Sequence, residues 1–202
     1  MIKAEIIVEL DGKYLYTCIS KSLLQNFGKM FCTMLGCKGT GTVNTSTTVT
    51  DTVGSPQTAY CETVDTSGAT FYASPLAMNA ADNDDTYGIV VGSGTASVSP
   101  GNYSLASKIS HGTGSGQLDY GVHTVTESYT GTSSYCEISR SFTNMSGAEI
   151  TVREVGLIAR NRFNYPTSVD AKFLIARDVL PYPVTVKNLG SLTVRYRISL
   201  TL

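Results

Sequence analysis

Residues 192–202 read Leu-Thr-Val-Arg-Tyr-Arg-Ile-Ser-Leu-Thr-Leu, so that Leu192 and every second residue after it are apolar. Successive side chains of a β-strand point to opposite faces, and the alternation therefore predicts a long strand with one buried and one wet face. A helix would distribute the same residues around its axis. Because a slip of one residue would expose the whole apolar row, the pattern also predicts the register of the strand.

The first twenty residues repeat this pattern. Residues 2–10 alternate in the same way, and Asp11-Gly12 follows as a dipeptide that favours a two-residue hairpin turn. Residues 13–19 then return as a second strand. The sequence therefore predicts a β-hairpin at the start of the chain.

A different periodicity follows between Leu23 and Leu35. Apolar residues recur there at spacings of one, three and four, which is typical of an amphipathic helix; they are Leu23, Leu24, Phe27, Met30, Phe31, Met34 and Leu35. We expect this stripe to pack on the sheet as core. A partner-binding groove is the alternative, since methionine-rich faces also serve interfaces.

The rest of the chain predicts further strands separated by turns. Apolar parity switches between Arg153 and Gly156, which indicates a β-bulge. Pro181 and Pro183 place the following connection at a sheet edge or corner. Short strands at regular spacing with one helix predict a mainly β fold, an antiparallel sandwich or barrel with an amphipathic helix near the N-terminus and long extended loops.

We expect one β-rich domain over residues 1–202. Two segments rich in Gly, Ser and Thr, residues 38–58 and 92–120, are predicted as extended loops or arms that order against neighbours. For the first of these a paired β-ribbon is the alternative, because its composition is compatible with strands.

Composition excludes several classes of protein. Charged residues make up 15% of the chain, below the usual ~25%, and the net charge is −1, so no basic face for nucleic acid is expected. No apolar run approaches the ~18 residues needed to span a bilayer. Residues 1–6 alternate instead of forming the continuous apolar core of a signal peptide, and we expect a soluble protein made in a cytosol.

No catalytic motif is present. The glycine loops at residues 92–94 and 112–116 lack the Lys-Ser/Thr ending of a P-loop and the third glycine of a dinucleotide site. His111 and His123 are the only imidazoles, and there is no Gly-x-Ser-x-Gly motif around a nucleophile. His111, which opens a glycine loop, is the one candidate for acid–base work, and His123 is interpreted as a sheet residue. We expect a protein that is not an enzyme and has no cofactor.

Metal sites and disulfides are also not predicted. The five cysteines form an odd set, interpreted as free thiols, with a Cys32–Cys37 disulfide as the alternative. Asp82, Asp84 and Asp85 are interpreted as a solvated acidic turn, with a loose calcium site as the alternative. An EF-hand loop is excluded because its sixth and twelfth positions are Tyr87 and Ser93.

Three stretches carry a family resemblance. They are GIVVGSG (88–94) with HGTGSGQLDYG (111–121), SFTNMSGA (141–148) with VGL (155–157), and FLIARDVL (173–180) with PVTV (183–186) and the terminal strand. Together they resemble poorly characterised virion structural proteins of tailed bacteriophages. The resemblance covers residues 88–202, and the helical stripe is in keeping with it. It implies a particle component, without distinguishing head, neck, tail or fibre, and it carries over no functional residues.

The function expected is therefore a non-enzymatic structural subunit of a phage virion, head-surface, capsid-associated or tail component. It would form a homo-oligomer, bind copies of itself and other virion proteins, and be assembled in the host cytoplasm. Arginine favours interfaces, and six arginines in the C-terminal part are candidate inter-subunit contacts, with the acidic turn of a neighbour (Asp82, Asp84, Asp85) as their partner; they are Arg153, Arg160, Arg162, Arg177, Arg195 and Arg197. Solvated sheet faces are the alternative for each arginine. A host-receptor or carbohydrate-binding adhesin on a phage fibre is the alternative function.

Overall fold

Ten β-strands and a short helix build the described part of the chain, which in this computed structural model is residues 2–20, 22–29, 45–61, 77–130, 132–163 and 169–201. The helix covers residues 25–29. The strands are β1 (Ile2–Leu10), β2 (Lys13–Ile19), β3 (Thr45–Thr50), β4 (Pro56–Cys61), β5 (Gly88–Gly92), β6 (Asp119–Thr130), β7 (Ser133–Thr143), β8 (Ile150–Phe163), β9 (Val169–Val186) and β10 (Ser191–Thr201).

The predicted terminal strand lies at the centre of a five-stranded antiparallel sheet with the order β2-β1-β10-β7-β6. It pairs with β1 from Leu10↔Leu192 to Ile2↔Leu200 and with β7 on its other side. Leu192, Val194 and Tyr196 are buried, as the alternation predicts. The predicted hairpin is also confirmed, with Asp11 and Gly12 at positive φ in its turn.

A second, three-stranded antiparallel sheet has the order β5-β8-β9. A bulge lies at the predicted place in the pairing of β8 with β9, but it is on β9 and not, as predicted, on β8. The register shifts between Val152 and Glu154, where Arg153 alone faces residues 180–183 of β9. Gly156 is not part of this bulge. A Cβ at Gly156 would lie 2.8 Å from Cδ2 of Leu105, so its role is to let the 92–120 segment pack closely on the sheet.

The two sheets pack face to face around one continuous cluster of buried side chains. The five-stranded sheet contributes Phe142 and Val194 to this cluster, and the three-stranded sheet contributes Leu157 and Leu174. The described strands thus form separate layers rather than a closed barrel, and the fold is mainly β and sandwich-like.

The helix begins at residue 25, two residues later than the predicted stripe. Leu24 is buried and Phe27 packs on the core, but Leu23 is 44% exposed. Leu23 lies before the helix in an extended bridge to Ala176 at the edge of β9, which turns its side chain outward. Residues 30–35 lie outside the described part of the chain. None of the helical residues that the structure describes forms a segment long and apolar enough to cross a membrane.

The Thr-rich segment forms a two-stranded ribbon. β3 and β4 pair antiparallel from Thr45↔Cys61 to Thr50↔Pro56, which is the ribbon alternative expected for residues 38–58. Residues 38–44 lie outside the described part, as do Cys32 and Cys37. Asn26 joins the helix to this ribbon, because its side-chain amide donates to the carbonyl of Thr50 at 2.8 Å.

Candidate functional site

A buried ion pair joins β8 to β9. Arg177 lies opposite Gly156, two residues along β8 from Glu154, so Arg177 and Glu154 share one face of the sheet. The Arg177 Nε donates to Glu154 Oε2 at 2.7 Å, and both side chains are almost completely buried. An isolated charge in such a site would carry a large desolvation penalty, so each group depends on the other.

The same pair holds residues 92–120 against the three-stranded sheet. The Glu154 carboxylate accepts three backbone N–H groups of this segment, from Gly94, Ala106 and Ser107. The Arg177 guanidinium donates to the carbonyls of Ala96 and Ser97 and to Asn102 Oδ1. The segment is a loop, and this ion pair fixes it to its own chain.

This geometry corrects the role expected for Arg177. A guanidinium that is 1% exposed and bonded to a carboxylate of its own chain has no surface to offer a neighbour. Its burial has a signal in the sequence, because Arg177 interrupts the apolar run FLIARDVL. Glu154 lies in the similar run VREVGLIA, and sequence reasoning did not single it out.

A second buried arginine anchors the acidic turn. Arg140 of β7 points into the sandwich and donates to five backbone carbonyls, those of Ala81, Asp84, Tyr87, Ile89 and Gly121. Its guanidinium lies 4.8 Å from the centre of the Tyr120 ring. Burial lowers the pKa of Arg140, although the aromatic ring and the aspartates of the turn oppose that shift. Arg140 thereby fixes residues 81–89 to the five-stranded sheet.

The acidic turn is itself engaged within the chain. Asp84 accepts the backbone N–H of Thr86, and Asp85 accepts the N–H of His111 at 2.8 Å and pairs with Lys108 at 3.1 Å. Burial alone would raise the pKa of Asp85, but the His111 N–H and the Lys108 charge outweigh it and hold that pKa below its usual value. Asp82 is exposed. Of the predicted interface acids, Asp85 already has a cationic partner in its own chain.

His123 is a buried structural histidine in β6, as its strand pattern predicts. Its Nε2 accepts the N–H of Ile89 at 2.7 Å, and its Nδ1 lies 3.2 Å from the carbonyl of Ala80, so the proton is on Nδ1. Burial and then the Arg140 charge lower the pKa of His123 to about 4. The neutral ring thus connects β5 to the five-stranded sheet.

Two predicted interface arginines form ion pairs on the outer, wet face of the five-stranded sheet. Arg195 pairs with Glu9 on β1 and lies 3.4 Å from Glu137 on β7. Arg197 pairs with the same Glu137 at 2.7 Å, and its guanidinium lies 4.6 Å from the centre of the Tyr135 ring. These half-exposed residues are contacts across neighbouring strands, which corresponds to the sheet-face alternative.

The other three candidate arginines are not brought together. Arg153 is half-exposed and lies in β8 opposite the bulge of β9. Arg160 is exposed and lies over the Tyr87 ring at 5.5 Å. Arg162 lies in β8 opposite Asp170. The six arginines therefore do not form one patch, and any contact that they make with a neighbour would be made separately.

In the described chain, the His111 ring makes no hydrogen bond to a Ser, Thr or Cys side chain. Its Nδ1 accepts the backbone N–H of Tyr120 at 3.2 Å and lies 3.5 Å from Asp119 Oδ1, and its ring stacks edge-on with that of Tyr120. Among the described residues, no group of three or more His, Cys, Asp or Glu side chains could hold a metal ion. The contacts of His111 are those of a residue that shapes the glycine loop.

A groove of about 940 Å³ opens beside the end of β2. Its described lining is mostly apolar, with Ile19, Leu23, Val98 and Val179 exposed at its rim. Asp178 lies at its floor and accepts the Ser20 hydroxyl at 2.8 Å. No aromatic side chain is among the described lining residues.

The opposite edge of the five-stranded sheet is also apolar and exposed. Val122, Val125 and Tyr129 of β6 are 56%, 55% and 73% exposed. A cavity of about 380 Å³ lies next to Val125, between Ile138, Ile198 and Met78. The inner face of the sheet therefore continues as apolar surface past the area that the three-stranded sheet covers.

Comparisons of this chain with protein-family models, with curated proteins and with solved structures found no match.

Proposed function

We propose that this protein is a non-enzymatic structural subunit of a tailed-bacteriophage virion, either a head-surface, capsid-associated or tail component. Its partners are copies of itself and other virion proteins, without direct contact to nucleic acid or membrane. It acts in the virion and is assembled in the host cytoplasm. The sequence resemblance supplies the phage context, and the distribution of polar and apolar groups supports an assembly role.

The buried polar groups support this proposal because they are engaged in holding loops. Glu154 and Arg177 fix residues 92–120, while Arg140 and His123 fix residues 81–89. Catalysis needs ionisable groups that converge where a substrate can reach them. Glu154, Arg177, Arg140 and His123 are instead closed to solvent and hydrogen-bonded to backbone groups of the loops, which is the arrangement of a scaffold with fixed surface loops.

The observation that carries the proposal is the position of the exposed apolar side chains. Six of the fifteen exposed large apolar side chains in the described chain lie on the two edge strands of one sheet: β2, with Ile19 beside the groove, and β6, with Val125 and Tyr129. Apolar surface at sheet edges is typical of proteins that bind other chains. A subunit with contact surfaces on opposite edges is suited to assembly with copies of itself.

Light scattering and negative-stain microscopy of the purified protein over a range of concentrations test this function. The proposal predicts association that grows with concentration, into dimers and larger ordered particles. A protein that stays monomeric at the highest concentration would count against it. A discrete oligomer that binds host cells or glycans would favour the adhesin. The groove does not support that alternative, because its described lining offers no aromatic side chain on which a sugar could stack.

A further inference from the structure

The outer edge of β6 is the least protected sheet edge in the described structure. Near its start β6 is covered, because Asn83 donates its N–H to the carbonyl of Tyr120 and Arg140 donates to that of Gly121. The register with β7 then shifts between Tyr120 and His123. From His123 to Thr130, no described residue adds a strand on the outer side. These eight residues extend over about 27 Å.

Each of the other main edges is covered or interrupted along part of its length. In the three-stranded sheet, residues 107–109 run along β5, where Ile109 donates its N–H to Val91, and residues 22–24 run along β9, where Leu24 donates to Ile175. β2 is short, begins with Lys13 and is interrupted by a bulge. Covering, lysine, short length and bulges are the usual protections against edge pairing.

The free part of β6 lacks these protections. Residues 122–130 read VHTVTESYT, with no lysine, arginine or proline and with Glu127 as the one carboxylate. β-branched residues and tyrosine favour strand pairing. Next to this edge the apolar inner face continues through Val125, Ile138 and Ile198, the last of which is 38% exposed.

Strand direction indicates which partner fits this edge. Neighbouring strands alternate in direction through the five-stranded sheet, so β2 and β6 run the same way. Head-to-tail addition of a copy in the same orientation would make a parallel β6–β2 pair. A two-fold axis perpendicular to the sheet instead makes β6 antiparallel to itself, which is the pairing that every described strand pair of this protein uses and the slightly more stable one.

The charges of β6 permit this self-pairing. Beyond the bulge, Glu127 is the one charged residue of β6, because the buried His123 is neutral. Like charges therefore meet only in the register that places Glu127 opposite Glu127 of the copy. In other registers Glu127 faces a neutral side chain of the copy. A stable dimer typically buries about 800 Å² per partner. The exposed side chains Val122, Val125 and Tyr129 would contribute apolar area to such an interface.

We propose that β6 pairs with β6 of a second copy across a two-fold axis, so that the two five-stranded sheets become one continuous sheet. This inference deepens the proposed assembly function and rests on it. The contact is isologous and closes, so it makes a dimer; larger particles are built from such dimers through the groove edge or other surfaces.

The test replaces Val125 with lysine in the full chain. Val125→Lys places a desolvated like charge from each copy in the contact, and we expect dimer dissociation to be at least about tenfold stronger than in wild type. Val53→Lys is the matched control, because Val53 is 79% exposed in the turn between β3 and β4, and it keeps the wild-type affinity. Masses are measured by light scattering across a dilution series with reductant present, since Cys18 and Cys136 are free thiols.

Two more variants keep the test decisive. Tyr129→Lys alters a side chain that is 73% exposed, so it leaves folding intact, and it also weakens the dimer. If both β6 variants dimerise like wild type and Tyr14→Lys on β2 fails to dimerise, the contact is on β2. The pairing of β6 with β6 is then wrong, while the assembly function stands. A wild-type protein that is monomeric at every concentration overturns both.

Discussion

The two ends of the sandwich deal with their unpaired groups in opposite ways. Over β8 and β9, a long loop is tied down by Glu154 and Arg177, and every hydrogen bond of that buried pair is made within the chain. Along β6, eight residues of strand edge and an apolar face have no described cover. The difference teaches that this chain uses its buried charges for its own stability and leaves neutral β surface exposed at the edge where we propose a contact.

Charge is distributed unevenly over the five-stranded sheet. The outer face of the five-stranded sheet keeps a short ion-pair network through Glu9, Arg195, Glu137 and Arg197. The edge of β6 is almost uncharged. Charge is thus retained where the sheet meets water and missing where a contact is proposed, as expected for interface cores.

The largest effect is expected at the fixed end. Glu154→Gln leaves the Arg177 charge buried without a counter-ion, so it should lower the free energy of unfolding by about 3–5 kcal/mol. Denaturant unfolding measures the loss, and limited proteolysis should show faster cleavage within residues 92–120. The double variant Glu154→Leu/Arg177→Met should recover only part of this loss, because it removes the unpaired charge but leaves the backbone groups of residues 94–107 without these partners. A loss below about 1 kcal/mol for Glu154→Gln would contradict the role given to this pair.

A pH-dependent effect is expected at His123. Its pKa in the folded protein is about 4, below the ordinary 6.5, so the unfolded chain binds a proton first as the pH falls. The stability that His123 contributes is therefore present above pH 6.5 and is lost between pH 6.5 and about 4, by about 3 kcal/mol.

The measurement is a comparison of unfolding free energies with His123→Gln across that range. Subtracting the two profiles removes the titration of carboxylates that both proteins share. The difference should shrink as the pH falls from 6.5 towards 4. Parallel profiles would show that the ring does not titrate as its burial requires.

The outer ion pairs should matter much less. Glu137→Gln weakens its contacts with Arg195 and Arg197, but these side chains are partly exposed to solvent. The expected loss is about 0.2–1 kcal/mol, and it should become smaller at high salt. This variant is the control for Glu154→Gln, since a similar loss in both would erase the distinction between buried and exposed pairs.

The smallest effect on folding is expected at the free edge. Val125→Lys should change the unfolding free energy of the monomer by less than about 0.5 kcal/mol, because Val125 is 55% exposed. The same variant should still weaken association. Thermal unfolding of dilute samples measures the first quantity. A large loss of monomer stability would mean that Val125 is part of the core rather than of a contact surface.

The sequence predicts the sheet well where one face is wet. Alternation in β1 and β10 gives their register and buried faces. The parity switch gives the position at which the β8–β9 pairing is irregular, although the extra residues lie on β9. Alternation along β7 also indicates that Arg140 is buried, because it lies on the same face as Ile138 and Phe142, inside the sandwich. The interface prediction for Arg177 assumes that a charged side chain lies at the surface. That rule fails for Arg177, as it does for Arg140 and Glu154, because each has buried hydrogen-bond partners.

The partners of these buried charges could not be predicted from the sequence. Arg177 binds residues about eighty positions away, and Glu154 binds the Ser107 N–H across 47 positions. No local pattern encodes such contacts, because they depend on how the two sheets bring loops over β8 and β9. The exposure of Leu23 has the same origin, since an edge bridge to Ala176 overrides the helical period.

Amide hydrogen exchange at two protein concentrations tests the contrast between the two ends most directly. The account predicts that the N–H groups of Gly94, Ala106 and Ser107, bound to Glu154, are protected equally in dilute and concentrated samples. Within His123–Thr130, amides that exchange in dilute protein should become protected when the protein is concentrated. Protection of this stretch that does not change with concentration, at either a high or a low level, would contradict the account.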